Sequence, residues 1–218
     1  MYIQLNSQVI CYEKTGQGKP VILIHGNNED HHIFDTLVET MSKYHTVYAM
    51  DSRGHGESAT PKEYHYDDMA NDVINLIKAL DIEKPALVGY SDGGVIALLV
   101  AIKASRLISS IVCCGANLSP AGIHHRDLRE IKREYRKTND PITGMMLVEP
   151  DIEPSDLERI SVPALIVAGK HDCIKEKETK KIANNINNSK ILILSGETHS
   201  SYIEGTDVLY RYISNFLG

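Results

Sequence analysis

The chain has 218 residues and a mass of 24.3 kDa, with 42% hydrophobic and 24% charged residues, which fits one compact domain and excludes a disordered or low-complexity chain. A net charge of −6 and a pI near 5.9 exclude nucleic acid as the main partner, because neutralising phosphates requires a basic surface. No segment reaches membrane-spanning length, and Met1–Leu5 lacks the basic start and apolar run of a secretory signal, so a cytoplasmic protein is expected, with no membrane partner.

Residues 2–14 divide at Asn6-Ser7 into two segments, and Thr15-Gly16-Gln17-Gly18-Lys19-Pro20 reads as a turn, so an antiparallel hairpin opens the fold. Val21-Ile22-Leu23-Ile24 is a continuous apolar run of the kind a parallel strand buried on both faces shows. His25-Gly26-Asn27-Asn28 ends it. Across 31–43, Phe34, Leu37, Val38 and Met41 recur at helical spacing, with Asp35 and Glu39 on the other side, which predicts an amphipathic helix.

Thr46–Met50 returns as a strand and ends in Asp51-Ser52-Arg53-Gly54-His55-Gly56-Glu57-Ser58. Asp51 and Arg53 are expected to pair with each other and hold this glycine-rich loop. A helix over about 67–80 buries Ala70, Val73, Ile74, Ile77 and Leu80. Strands are predicted at 109–114, 162–168 and 190–194, and a last helix over about 206–217 carries Leu209, Tyr212, Ile213 and Phe216 on one face. Repeated strand–helix alternation after a hairpin implies a mostly parallel, twisted sheet covered on both faces.

The interval 118–160 breaks this rhythm. Its helical stretch, His124–Lys137, has a narrow apolar stripe of Leu128, Ile131 and Tyr135 and an exposed side rich in Arg and Lys interleaved with Asp127, Glu130 and Glu134. That side is expected to be solvated and not an anion site. Four cysteines, Cys11, Cys113, Cys114 and Cys173, form no CxxC pair, and two lie in an apolar run where a thiol packs as a small hydrophobe, so neither a disulfide nor a metal centre is indicated.

Pro85–Tyr90, an apolar segment, runs into Gly89-Tyr90-Ser91-Asp92-Gly93-Gly94 and then into Val95–Ala101. Strand, sharp turn and helix are the context that makes Gly-x-Ser-x-Gly a nucleophile elbow. Gly89 and Gly93 must be small for strand and helix to approach. Ser91 is therefore the candidate nucleophile. An ordinary glycine-rich turn would read the same locally, and the decision lies in what accompanies it.

A serine hydroxyl needs a base to take its proton, and histidine does this near neutral pH. Of 10 histidines, His199 lies in Ser195-Gly196-Glu197-Thr198-His199-Ser200, after the last predicted strand, where a parallel sheet opens its carboxyl edge to a site. His171 is the competitor, but it sits on the loop expected to provide the acid. That acid is Asp172, at the end of Val167–His171, whose plainer role would be to cap the next helix. Oxyanion stabilisation needs two backbone N–H donors. The amide of Asp92, which follows the nucleophile, is one.

The order His25-Gly26, Asp51-x-Arg53-Gly54-His55-Gly56-x-Ser58, Gly89-x-Ser91-x-Gly93, Gly169-x-x-Asp172 and His199 resembles the α/β-hydrolase superfamily across nearly the whole chain. The resemblance implies an eight-stranded sheet in a single domain, Asn27 as the second oxyanion donor, and 118–160 as a short cap. It also implies acyl transfer on a small-molecule ester, thioester or lactone, without metal or organic cofactor. Perhydrolase, haloperoxidase and carbon–carbon hydrolase or lyase chemistry use the same triad, and a ligand-binding module that has lost turnover shares the fold. Met145, Met146 and Leu147 are the expected lid contacts, with plain packing onto the sheet as their other account. Monomer and homodimer are both compatible with the sequence.

Overall fold

The computed structural model describes residues 1–6 and 8–218. Eight strands form one sheet: β1 (Tyr2–Leu5), β2 (Gln8–Thr15), β3 (Lys19–Ile24), β4 (His45–Met50), β5 (Ala86–Tyr90), β6 (Ser110–Cys114), β7 (Ala164–His171) and β8 (Ser189–Thr198). Their order across the sheet is β1-β2-β4-β3-β5-β6-β7-β8. The opening hairpin pairs antiparallel with Tyr2 opposite Cys11 and Leu5 opposite Gln8, and β2 runs antiparallel to β4. All other pairings are parallel. Of the predicted division at Asn6-Ser7, Ser7 lies outside the described residues.

Helices α1 (Asp35–Met41), α2 (Tyr66–Ala79), α3 (Asp92–Ala104), α4 (His125–Thr138), α5 (Pro141–Met146), α6 (Glu176–Asn184) and α7 (Val208–Leu217) connect the strands. The first predicted helix is split: residues 31–34 form a 3-10 turn, begun by the Asp30 carboxylate accepting from the His32 amide at 2.9 Å, before α1 starts. Strand side chains alternate between faces, and the two sides of the sheet are two separate cores. Ile22, Ile24, Met50, Leu87, Ile111 and Ile166 pack toward α2, α3 and α6. Val21, Leu23, Val47, Val88, Val112 and Val167 pack toward α1 and α7. Both faces are covered, which is why these strands read as unbroken apolar runs.

Asp51 and Arg53 do not pair with each other. Arg53 forks onto Asp72 of α2 at 2.7 and 2.8 Å and reaches Asp68 at 3.0 Å. Asp51 instead accepts the amide and Nδ1 of His31 at 2.8 and 2.7 Å and the Glu57 amide at 2.9 Å. Two side chains two residues apart diverge at a strand end, and each took a partner from a different helix or loop. One side of the loop is thereby tied to α2 and the other to the segment after β3.

Between β6 and β7 the chain forms α4, α5 and two 3-10 turns. The cationic residues Arg126, Arg129, Lys132, Arg133, Arg136 and Lys137 are all exposed, and Leu128, Ile131 and Tyr135 are half-buried. Asp140 starts α5 by accepting the amides of Ile142 and Thr143 at 3.4 and 2.8 Å, with Pro141 in the first turn. Leu118, Ile142, Met145, Ile152 and Leu157 join the main core, which anchors this segment to the rest of the molecule. Among the described residues no helix is long and apolar enough to cross a membrane.

Candidate active site

Ser91 sits between β5 and α3 with φ 54° and ψ −116°, a conformation costing of order 1–3 kcal/mol for a residue with a Cβ. Three groups hold it there. Its amide donates to the Cys114 carbonyl in β6 at 2.7 Å, and its own carbonyl accepts the Gly94 and Val95 amides at 2.9 and 3.2 Å, which starts α3. A Cβ on Gly89 would overlap the Gly93 carbonyl, and one on Gly93 would overlap the carbonyl of Ile24. The turn is thus tight enough to exclude every side chain but that of Ser91 and its flanks.

The carboxyl ends of β7 and β8 supply the partners. β7 runs to His171 and β8 to Thr198, both longer than the sequence pattern suggested, so Asp172 and His199 follow their strands directly. His199 Nε2 lies 3.0 Å from Ser91 Oγ, and His199 Nδ1 lies 2.6 Å from Asp172 Oδ1. An ionised carboxylate only accepts, so Nδ1 carries a proton, and in the neutral ring Nε2 offers its lone pair to the serine hydroxyl. Asp172 is fixed in turn: Oδ1 accepts the Ile174 amide at 2.9 Å and Oδ2 the Gly169 amide at 3.2 Å. His171 is exposed, and among the described residues it makes no hydrogen bond to Ser91 or Asp172.

The two titrations are coupled. Burial pushes the Asp172 carboxyl up, but the His199 imidazole and the two backbone amides outweigh it and hold the group below the usual carboxylate range. Burial pulls His199 down, yet the hydrogen bond and charge of Asp172, with Cys173 beside it, hold the imidazole above its ordinary value. Ligand atoms of Asp172, Cys173 and His199 lie within 4.8 Å of one another, which makes these three the donors that could approach a metal ion. Two of the three are already engaged with each other.

Asn27 follows β3, and its side chain donates to Asp92 at 3.2 Å. The loop carrying it is shaped by buried His25, whose Nδ1 donates to the Gly26 carbonyl at 2.7 Å and whose Nε2 accepts the Ser52 amide at 3.0 Å. Burial, with His55 nearby, lowers His25 to about 4, so it stays neutral at physiological pH. Asp92 is buried, and burial raises its carboxyl despite hydrogen bonds from Tyr66 and Asn27. Among the described residues neither the Asn27 amide nor the Asp92 amide donates to any protein acceptor. Both residues line the same cavity as Ser91 and His199.

That cavity is about 220 Å³. Of the three predicted lid residues, Met146 lines it, Met145 is buried in the main core, and Leu147 does not reach it. Successive residues on a helix point about 100° apart, so adjacent positions of α5 cannot all face one cavity. Sequence reasoning passed over Ile123, Ile174, Cys173 and Glu29, which also line it. Ile131 was visible as part of the α4 stripe, and Cys173 as the neighbour of Asp172, whereas a lone acid in a loop carries no pattern. A larger cleft of about 610 Å³ opens at the amino ends of β7 and β8, beside Pro163, Lys190 and Phe216. It contains no nucleophile–base pair.

Residues 19–140 match the family model described as the alpha/beta hydrolase fold. The chain is 25% identical, over an alignment of 249 residues, to a serine hydrolase of Homo sapiens, covering 99% of this chain and 85% of that protein. It is 34% identical over 125 residues to the 2-hydroxy-6-oxo-6-(2'-aminophenyl)hexa-2,4-dienoic acid hydrolase of Metapseudomonas resinovorans, covering 55% of this chain and 43% of that one. Among solved structures, the enol-lactonase from Burkholderia xenovorans LB400 has the same fold, with a TM-score of 0.83 at 20% identity over 100% of this chain and 99% of that chain. With an eight-stranded sheet of this order and a family match over more than half its length, the chain belongs to the alpha/beta hydrolase fold family and is a hydrolase.

Proposed function

We propose that the chain is a serine hydrolase cleaving a small carboxylic ester, thioester or lactone through an acyl-enzyme on Ser91. The observation that carries this reading is the continuous relay from Ser91 Oγ to His199 Nε2 at 3.0 Å and from His199 Nδ1 to Asp172 at 2.6 Å. As Ser91 Oγ bonds to the carbonyl carbon, its proton passes to His199 Nε2 and the carbonyl electrons move onto oxygen. The free amides of Asn27 and Asp92 receive that oxyanion, a contribution of about 3–4 kcal/mol per donor. Collapse expels the alcohol or thiol, which leaves with the proton from His199. Water, deprotonated by the same imidazole, then releases the acid. The Asp172 carboxylate stabilises the imidazolium in both halves.

Residues 118–160 act in this reading as a short cap, with Ile131 and Met146 closing the acyl side. The substrate is a small molecule, and the cycle needs neither metal nor organic cofactor.

A second reading, carbon–carbon bond hydrolysis by the same triad, is favoured by the dienoic acid hydrolase relative. That relative's substrate is a carboxylic acid, whereas among the described residues no Lys or Arg lines the cavity here, and this weighs toward the ester reading. Labelling by a fluorophosphonate probe, lost in Ser91→Ala, tests the nucleophile. Turnover of neutral esters against a dienoic acid substrate tests the bond. Folded protein that neither labels nor hydrolyses any ester would refute the proposal.

A further inference from the structure

Two acidic residues, Glu29 and Asp92, line the cavity, and the proposed cycle gives neither carboxyl a task. Glu29 stands two residues past Asn27, and its Oε2 accepts the Gly26 amide at 2.9 Å. That oxygen and Ser91 Cβ lie 2.8 and 3.0 Å from the point where a Cβ on Gly26 would stand, so the carboxyl is beside the nucleophile. Among the described residues no Lys or Arg lines the cavity and Glu29 has no salt-bridge partner there. Three charged groups bear on it: His199 favours its ionised form, whereas Asp92 and Glu204 oppose it.

In a cavity of about 220 Å³, a charge on either half of a bound substrate cannot be far from this carboxyl. Glu29 is half-buried in the cavity wall, so its charge is screened less than that of a fully exposed carboxylate. Asp92 cannot substitute in this role, since it is buried and held by Asn27.

We infer that Glu29 sets the charge selectivity of the site, rejecting substrates that carry a carboxylate near the scissile bond and accepting neutral or cationic ones. The inference rests on the proposed Ser91 chemistry for its context. It adds a specificity-determining residue that motif and relay do not contain. Burial, only partly offset by the Gly26 hydrogen bond, pushes Glu29 up to about 7, so the filter is weak in mild acid and strong in mild base.

The test uses three ethyl esters built on the same four-carbon acyl chain, differing in its terminal group: ethyl butyrate, ethyl hydrogen succinate and ethyl 4-(trimethylammonio)butyrate. At pH 8.5, kcat/KM of the wild type for the anionic ester should fall at least about tenfold below that for the neutral one. The gap should narrow at pH 6, where the succinate carboxylate is still ionised but Glu29 has taken up a proton. Glu29→Gln keeps an acceptor for the Gly26 amide, and it should restore the anionic ester to within about threefold of the neutral one at both pH values. Equal rates for all three esters in the wild type, or an equal loss on all three in Glu29→Gln, would overturn the inference while leaving the Ser91 reading intact. If no ester turns over, the Ser91 reading fails, and dissociation constants of the same esters for Ser91→Ala with and without Glu29→Gln decide the charge filter on their own.

Discussion

The Ser91 amide donates to the carbonyl of Cys114 at 2.7 Å while Ser91 holds φ at 54°. The elbow is therefore anchored to the neighbouring strand, and its strain is held by packing that leaves no room at Gly89 or Gly93. Gly93→Ala should cost about 3 kcal/mol or more, because the added methyl meets the backbone of Ile24 and not a movable side chain. Chemical denaturation measures it. A loss below about 1 kcal/mol would show that β3 and the elbow can separate cheaply.

Ser91→Ala and His199→Ala should each lower kcat/KM for ethyl butyrate by about 10⁴-fold, and the double variant by little more, since a relay fails as a unit. The melting temperature of Ser91→Ala should stay within about 2 °C of the wild type, because its side chain does not fill the core, whereas His199→Ala should melt lower, because it leaves the buried Asp172 carboxylate without its imidazole partner. Additive losses would mean that the two residues serve separate steps.

Because Asp172 holds the His199 imidazole above its ordinary value, the base form accumulates only as pH rises, and kcat/KM for a neutral ester should climb along a single limb. Asp172→Asn removes the charge that retains the proton, so that limb should move to lower pH while the plateau drops by about 10⁴-fold through loss of the correct tautomer. A pH–rate profile of both proteins reads the two effects separately. An unmoved limb in Asp172→Asn would detach Asp172 from the base.

Glu29 gives a stability signature independent of turnover. Its carboxyl is raised in the folded state, to about 7 from 4.5, so its stabilising contribution is present at low pH and is lost as pH rises through that interval. Against Glu29→Gln, the wild type should lose relative stability between those values and none beyond them. After allowance for partial solvent contact the loss is roughly 1–2 kcal/mol, or about 2–8 °C in Tm. Calorimetry across pH 4 to 8 checks it, and a constant difference between the two proteins would show that Glu29 titrates normally.

Ile131 and Met146 line the cavity of about 220 Å³ that holds Ser91. Short acyl esters should be preferred, with kcat/KM falling as the acyl chain lengthens. Ile131→Ala or Met146→Ala should shift the optimum toward longer chains by several-fold, since each methylene in an apolar pocket is worth about 1–3 kcal/mol. A sharp optimum at long chains in the wild type would mean that a tunnel lies beyond these residues.

Much of the fold was legible because its signals are local. The runs Val21–Ile24 and Ile111–Cys114, buried on both faces, and the helical spacing of Ala70, Val73, Ile74 and Ile77 are set by strand and helix periods. Ser91, Asp172 and His199 were nameable for a topological reason. Parallel strands bring all their carboxyl ends to one edge, so residues 108 and 27 positions apart in sequence become neighbours whatever the loops do.

Decisions between partners competing in space were not in the sequence. Arg53 chose Asp72 over Asp51 because α2 presented both oxygens of Asp72 to the fork of a planar guanidinium, with Asp68 on its remaining nitrogen. Met146 faces the cavity and Met145 the core because α5 docks at one rotation, set by Ile142 and Met145 joining the main core. Glu29 became part of the site because its loop folds back onto the Gly26 amide. Periodicity and turn chemistry act over a few residues and are written in the order of the chain, whereas partner choice, helix rotation and the desolvation of a lone carboxyl depend on which surfaces meet, and only the folded structure brings those surfaces together.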